Sequence, residues 1–256
     1  MKVPMSWIKQ YLEIALEPSE MADKLTMAGV EVGLIERIGE NWDADLVLVG
    51  QIIDIVPHPN ADLLRLPTVD IGNGKKLQVV CGAPNIRVGQ KIAFAREGAE
   101  LFNPRTAKLE VLRPTKIRGI ESSGMVCSEL ELGMAIHHEG ILELDQEYPV
   151  GCSLERVIGE TIFHTELTPN RPDCLSMLGM AHEMAALTGQ TVKTESLDYK
   201  TEITPVSDTI DVSVEDPSLC ARYTATLIKD VKIGKSPGWL SNRLANSGVR
   251  SINNAV

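Results

Sequence analysis

Hydrophobic spacing in the first forty residues changes from helical to extended. Trp7, Ile8, Tyr11 and Leu12 sit at helical spacing, with Ser6 placed to cap them. Pro18 suits the first turn of a second helix, in which Met21, Leu25 and Ala28 recur at i, i+4 and i+7. Gly29 then ends that helix as a C′ residue. In VEVGLIERI the alternation of Val30, Val32 and Leu34 predicts a strand.

From Leu46 the texture becomes short β-runs punctuated by turns: LVLVGQIIDIV, LLRLPTVDI, KLQVV, KIAFA, KLEVLRPTKI and GILEL. Asn73-Gly74 predicts a hairpin between the second and third of these. Five or six short strands in about 100 residues point to a small closed barrel, and a five-stranded Greek-key barrel of the oligonucleotide-binding type (OB-fold) has that count. After Gly151 the chain turns helical. NRPDCLSMLGMAHEMAALTGQ sets Leu175, Leu178, Ala181, His182 and Ala185 in register, opened by Pro172-Asp173 and closed by Gly189. Residues 193–208 have the polarity of a linker. DTIDVSVED and ARYTATLIKDVKI then alternate as strands, and PGWLSNRLANSG reads as a helix ended by Gly248. The pattern therefore predicts an α+β multidomain chain. The first block reads as a small α/β unit, the block after it as the barrel, and a further α/β domain begins near Pro205. The stop on SINNAV reads as a fragment boundary.

Composition narrows the class. Hydrophobic residues are 43% and charged residues 23% of the 256, ordinary for a chain that buries a core. No stretch approaches the roughly 20 apolar residues of a membrane helix, and MKVPMSWIKQYLE lacks the apolar run of a signal peptide. Five isolated cysteines without a CxxC pair argue for reduced thiols in a cytosol and against structural zinc. The net charge of −10 argues against a nucleic-acid partner, but its distribution changes that picture. Residues 87–118 carry eight basic and three acidic side chains, while 119–150 carry seven acidic and no basic ones. A basic strip on an acidic body suits a polyanion, although a solvated face has the same composition.

Within that strip, period-two alternation over 107–118 places Lys108, Glu110, Lys116 and Arg118 on one face, opposite Leu109, Val111 and Ile117. An amphipathic strand without a ligand reads the same way. His58-Pro59-Asn60-Ala61-Asp62 is a tight bend that serves either as a plain barrel loop or as an RNA-facing one, with the Asn60 amide offered to a phosphate or base edge. RGIESSGM joins Arg118, suited to bidentate phosphate contact, to the Ser122 hydroxyl, to Gly124, where backbone can approach a ligand, and to Met125. Trp42, Phe94, Phe102 and Tyr148 are the only aromatics of the barrel block, too few for serial base stacking. Shape and phosphate contact would then dominate over base reading.

Catalytic readings find little support. Gly72-Asn73-Gly74 is followed by neither GxxxxGK nor GxGxxG, so no ATP site is predicted. His137-His138 beside Glu139 lacks a third ligand at a metal spacing, Cys127 lacks an evident base, and His182 reads as a packed core residue.

HPNAD, VVCGAPNIRVGQKIAFAREGAEL, RGIESSGMVCSELELG and HEGILEL together resemble the tRNA-binding barrel of several tRNA-associated proteins. More narrowly, VCGAPN, GMVCSE and LTPNRPDCLSMLGMAHEMAALTG are similar to the N-terminal part of bacterial phenylalanyl-tRNA synthetase beta subunits, and WLSNRLANSGVRSINNAV resembles the opening of the editing domain there. The resemblance runs in order along essentially the whole chain. It implies one discontinuous α/β domain of residues 1–39 with 151–200, the barrel of 40–150 inserted in it, and the start of the editing domain over 205–256. It implies a fragment of a cytoplasmic α₂β₂ ligase that uses ATP and Mg²⁺ to attach phenylalanine to tRNA, with activation in the alpha subunit. In this fragment it implies tRNA binding or structural support, with no catalytic residue, metal or cofactor. The candidate tRNA-binding residues are Asn60, Lys91, Lys108, Lys116, Arg118, Ser122 and Met125. Two alternatives stay open: a free-standing tRNA-binding or RNA-chaperone-like protein with the same barrel, and a barrel that mainly braces the synthetase.

Overall fold

The computed structural model describes residues 1–135, 140–194, 196, 198 and 206–256. Strand β1 (Lys2–Pro4) leads into a single helical turn, α1 (Met5–Ile8), followed by α2 (Pro18–Met27) and β2 (Glu31–Ile38). The long β3 (Val47–Pro57) opens a series of strands: β4 (Arg65–Asp70), β5 (Lys76–Gln78), β6 (Lys91–Arg96), β7 (Glu100–Asn103), β8 (Lys108–Val111), β9 (Thr115–Ile117), β10 (Ile120–Ser122), β11 (Gly124–Val126) and β12 (Glu143–Leu144). Helix α3 (Leu154–Ile158), β13 (Glu160–Glu166), a 3-10 turn at Pro172–Leu175, α4 (Met177–Thr188) and α5 (Gly238–Asn246) follow.

Strand β13 runs antiparallel between β1 and β2, so the chain returns after the long β-rich excursion to complete the sheet it began. Helices α1, α2 and α4 cover that sheet through a cluster that includes Val3, Ile8, Met21, Leu25, Val30, Phe163, Met180 and Met184. Leu34 departs from the predicted alternation and is exposed. Opposite the adjacent His164 and Thr165, β2 presents Leu34 and Val32, so Gly33 is an extra residue. This bulge shifts the phase, and Ile35 packs on the cluster in place of Leu34.

The predicted helical register after Gly151 is also rotated. Met180, Ala181, Met184 and Ala185 are buried, while Leu175, Leu178 and His182 are exposed, which corrects the reading of His182 as a core residue. Ser176 sets the new phase: its Oγ accepts from the Gly179 N–H at 3.0 Å, so α4 starts after the 3-10 turn and out of step with it. Ser6 likewise does not cap α1. It lies inside the turn and hydrogen-bonds Glu160.

The central sheet is antiparallel, ordered β11-β6-β3-β4-β5, with β12 also on β6. Residues 47–51 of β3 pair with β6, residues 51–57 pair with β4, and the register shifts between Ile52 and Asp54. That bulge lets one strand bend between two partners, and the sheet curls into an OB-like half-barrel. The continuous apolar runs of β3 and β6 reflect burial on both faces. Leu48, Ile52, Ile92 and Phe94 line the barrel interior with Val69, Val79 and Val126. Val47, Val49, Ala93 and Ala95 face a second cluster closed by Trp42, Leu132 and Leu154. Gly72 and Gly151 hold the β4–β5 turn against the chain leaving the barrel. Both have positive φ, and a Cβ on Gly72 would lie 2.8 Å from the Gly151 Cα.

The KLEVLRPTKI run is not one strand. Pro114 lies in the break between β8 and β9, which belong to separate two-stranded hairpins, β7–β8 and β9–β10. Among the described residues 206–236 there is no strand where DTIDVSVED and ARYTATLIKDVKI predict two. No other strand pairs with these segments, and alternation alone does not satisfy backbone groups. Helix α5 forms as its spacing predicts. The Arg243 guanidinium lies 4.9 Å from the Trp7 ring and 5.6 Å from the Trp239 ring, and this holds α5 beside the first turn of the chain. His137-His138-Glu139 and the centre of the predicted linker, including 199–205, lie outside the described residues.

Candidate nucleic-acid interface

The HPNAD bend and the Arg118 turn are brought together. His58, buried in the β3–β4 loop, sets its Nε2 3.2 Å from the Ile117 carbonyl, and its Nδ1 accepts the Asn60 backbone N–H at 3.0 Å. The Asn60 side-chain Nδ2 then donates to the Arg118 carbonyl at 3.2 Å. Arg118 takes φ +51° in the tight turn between β9 and β10, next to Gly119. The turn is thus strained, held from beneath, and presents the exposed Arg118 side chain outward. The sequence names His58 only as the first residue of the HPNAD bend and gives it no role of its own.

The other candidates divide. Lys116 is exposed on β9, opposite Glu121 of β10, and belongs with Arg118. Lys108 sits across from Asn103 at the far end of the separate β7–β8 hairpin, whose Glu110 carboxyl is held below its ordinary range mainly by the Thr106 and Asn103 donors. Lys91 is the first residue of β6, opposite Gln51 of β3, and its ammonium is spent on the carbonyls of Gln146 and Tyr148. Met125, opposite Ala95, packs against the Trp42 cluster. Ser122 is buried: its Oγ accepts from the Val80 N–H at 3.1 Å and donates to the Gly124 carbonyl at 3.0 Å. The close approach at Gly124 is internal too, since a Cβ there would lie 2.5 Å from the Phe94 Cζ. Ser122→Ala is therefore expected to cost about 1–3 kcal/mol by orphaning the Val80 N–H, while leaving the salt slope of any RNA binding unchanged. Thermal unfolding and a salt titration measure the two effects separately.

Partner accounting sorts the basic strip. Arg87 pairs with Glu143, Lys91 with carbonyls, and Arg96 with the Asp45 carbonyl at 3.1 Å. Among the described residues, the side chains of Arg105, Lys108, Arg113, Lys116 and Arg118 make no hydrogen bond or ion pair, and Lys108 has only the charge of Glu110 near it. The uncommitted cations are thus all on or beside the two hairpins that project from the central sheet, where a polyanion reaches them without breaking an internal contact.

Among the described residues, a cluster of metal-type ligands is already occupied in the same sense. Asp173, Cys174 and Glu183 bring three ligand atoms together, but the Arg171 guanidinium already fills the space between them. Its Nη2 lies 2.8 Å from Asp173, 3.1 Å from the Cys174 sulfur and 2.6 Å from Glu183. That hydrogen bond holds the Asp173 carboxyl down at about 2, and burial pushes the Cys174 thiol up to about 11. Burial raises the Cys127 thiol further, which keeps it protonated and a poor nucleophile. No helix of the described residues is long and apolar enough to cross a membrane.

Residues 47–153 match the family model described as "Putative tRNA binding domain", and residues 219–256 match the B3/4 domain model. Over 256 residues the chain is 45% identical to the phenylalanine–tRNA ligase beta subunit of Dehalococcoides mccartyi, covering 100% of this chain and 31% of that protein. The beta subunit of Geobacter metallireducens is 45% identical over 259 residues, with 100% and 31% covered, and that of Protochlamydia amoebophila is 41% identical over 257 residues with the same shares. The chain thus spans about a third of the length of these curated relatives. A solved structure of a MetRS related protein from Pyrococcus horikoshii is 24% identical, covers 43% of this chain and 88% of its own, and superposes with a TM-score of 0.31.

Proposed function

Because the chain is homologous along its whole length to phenylalanine–tRNA ligase beta subunits, of which it spans 31%, we propose that it is the corresponding segment of such a subunit and that its half-barrel binds tRNA without catalysing a reaction. The observation that carries the RNA reading is the braced turn at Arg118 with its uncommitted cations, inside the residues that match the tRNA-binding model.

In this reading the barrel is a Greek-key OB-fold over 40–150, inserted in an α/β domain of 1–39 and 151–200, and 205–256 begins the editing domain. The B3/4 match over 219–256 supports the last assignment. The parent enzyme is a cytoplasmic α₂β₂ assembly with an alpha subunit, and it uses ATP and Mg²⁺ to join phenylalanine to tRNA. Within this segment the chain's own work is to hold the RNA backbone by charge. Arg118 and Lys116 contact phosphate, with Asn60 beside them, and the buried Ser122 and the packed Met125 support the hairpin and the sheet next to it.

The test is tRNA binding by the 256-residue chain across a salt series. About three phosphate contacts give a slope of roughly −2 to −3 in log K against log salt. Arg118→Ala is expected to reduce that slope by close to one contact and to weaken different tRNAs about equally. Absence of measurable binding at about 50 mM salt, where such contacts are strongest, would make the barrel a brace.

A further inference from the structure

We propose that His58 is a positioning residue for the RNA-facing turn at Arg118, an inference that rests on the tRNA-binding reading above. Both ring nitrogens have a role dictated by their neighbours. The Asn60 backbone N–H can only donate, so Nδ1 accepts at 3.0 Å. The Ile117 carbonyl can only accept, so Nε2 donates at 3.2 Å. One species, the neutral imidazole protonated on Nε2, satisfies both at once. His58 is 5% exposed, and its own backbone N–H is tied to the Leu64 carbonyl at 3.1 Å, so the loop cannot easily offer another partner.

The turn requires such a hold. Strands β9 and β10 pair only with each other, through Ile117↔Ile120, Lys116↔Glu121 and Thr115↔Ser122. A two-stranded ribbon of this kind is marginally stable in water, and Arg118 at φ +51° adds the cost of a left-handed non-glycine residue. Ser122 anchors the base of the ribbon through Val80. The tip is anchored from the β3–β4 loop by two hydrogen bonds, His58 to Ile117 directly and Asn60 to Arg118. The second depends on the first residue, because His58 Nδ1 orients the Asn60 backbone. His58 never touches the ligand in this scheme. It sets where the guanidinium stands.

A double-mutant cycle on the 256-residue chain, read as salt-dependent binding of one purified tRNA transcript, tests this. Arg118→Ala is expected to weaken binding about fivefold at ~0.1 M salt. His58→Ala should lose about the same factor and about one contact of slope, and the double variant should be no weaker than Arg118→Ala alone. His58→Gln keeps an amide donor where Nε2 stood, and it should recover most of the loss. If His58→Ala does not fold by circular dichroism, His58→Asn, whose amide oxygen can replace Nδ1 but whose amide nitrogen falls short of the Nε2 position, takes its place in the cycle. Additive losses, or His58 variants that bind like the parent while Arg118→Ala is weakened, overturn the positioning role alone. Binding by the parent that Arg118→Ala leaves unchanged, or no binding by the parent, overturns the RNA reading and this inference with it.

Discussion

Replacing Phe94 with Ala is expected to cost about 3–5 kcal/mol in denaturant unfolding. Phe94 is fully buried in β6, the strand that β3 flanks on one side and β11 and β12 flank on the other. Its neighbours across the ladder are Leu48 and Val126, and its ring lies in the barrel interior. Cavity cost depends on how far the surroundings can collapse, and here two of them have no side chain to move. A Cβ on Gly50 would lie 3.2 Å from the Phe94 Cβ, and one on Gly124 would lie 2.5 Å from its Cζ. Gly124 is shaped to the ring and Gly50 to the strand beneath it, so the void should stay open and the loss should fall in the upper half of the range. A urea titration reads it as a lower midpoint with an unchanged slope. Gly124→Ala gives a coupled check. It should destabilise the parent by overpacking and be milder in the Phe94→Ala background, where the clash with the ring is gone and only that with the Ala95 carbonyl oxygen at 2.8 Å remains. A loss below about 1 kcal/mol for Phe94→Ala would mean that the interior relaxes around the ring's absence.

The hydrophobic spacing is enough to read α2, β3, β4 and β6, because each buries residues whose pattern survives folding, and it also marks β2, β5 and α5, which bury no residue fully. It misled where one residue changed the phase. The Gly33 bulge moved Leu34 outward, and the Ser176 cap rotated α4 so that His182 faces solvent. The segments after Val206 alternate without pairing, since periodicity records an exposed and a buried side but not the neighbour that would supply the second side. The site was legible only in part. Residue types identified the Arg118 turn and the HPNAD bend separately, yet their union depends on tertiary hydrogen bonds from His58 and Asn60 that no spacing announces. Ser122 and Gly124 looked ligand-facing because hydroxyls and glycines serve ligands and tight packing equally well. Their partners, Val80 and Phe94, are 42 and 30 residues away in sequence.

Alanine at Arg113, Lys116 and Arg118 together is expected to weaken tRNA binding roughly a hundredfold at ~0.1 M salt and to bring the slope of log K against log salt close to zero, since each phosphate contact releases about 0.7 to 0.9 counterions. A companion variant with Gln at Arg87, Lys91 and Arg96 removes the same number of positive charges from the same 87–118 strip. Long-range attraction depends on net charge and would weaken both variants alike. Contact does not treat them alike. Arg87 already faces Glu143, Lys91 is held by two carbonyls and Arg96 by the Asp45 carbonyl, so an approaching phosphate would have to displace internal partners to use them. Arg113, Lys116 and Arg118 have no such partner among the described residues, and Lys116 and Arg118 ride on the braced β9–β10 hairpin. Even there Glu121, directly opposite Lys116, lowers the local potential, which is why about three contacts are expected from so basic a strip. The companion variant should therefore keep the parent's slope and most of its affinity, although the lost internal bonds lower its melting temperature. Equal slopes for the two variants would instead assign tRNA attraction to the field of the whole strip and leave the hairpin without a special part in it.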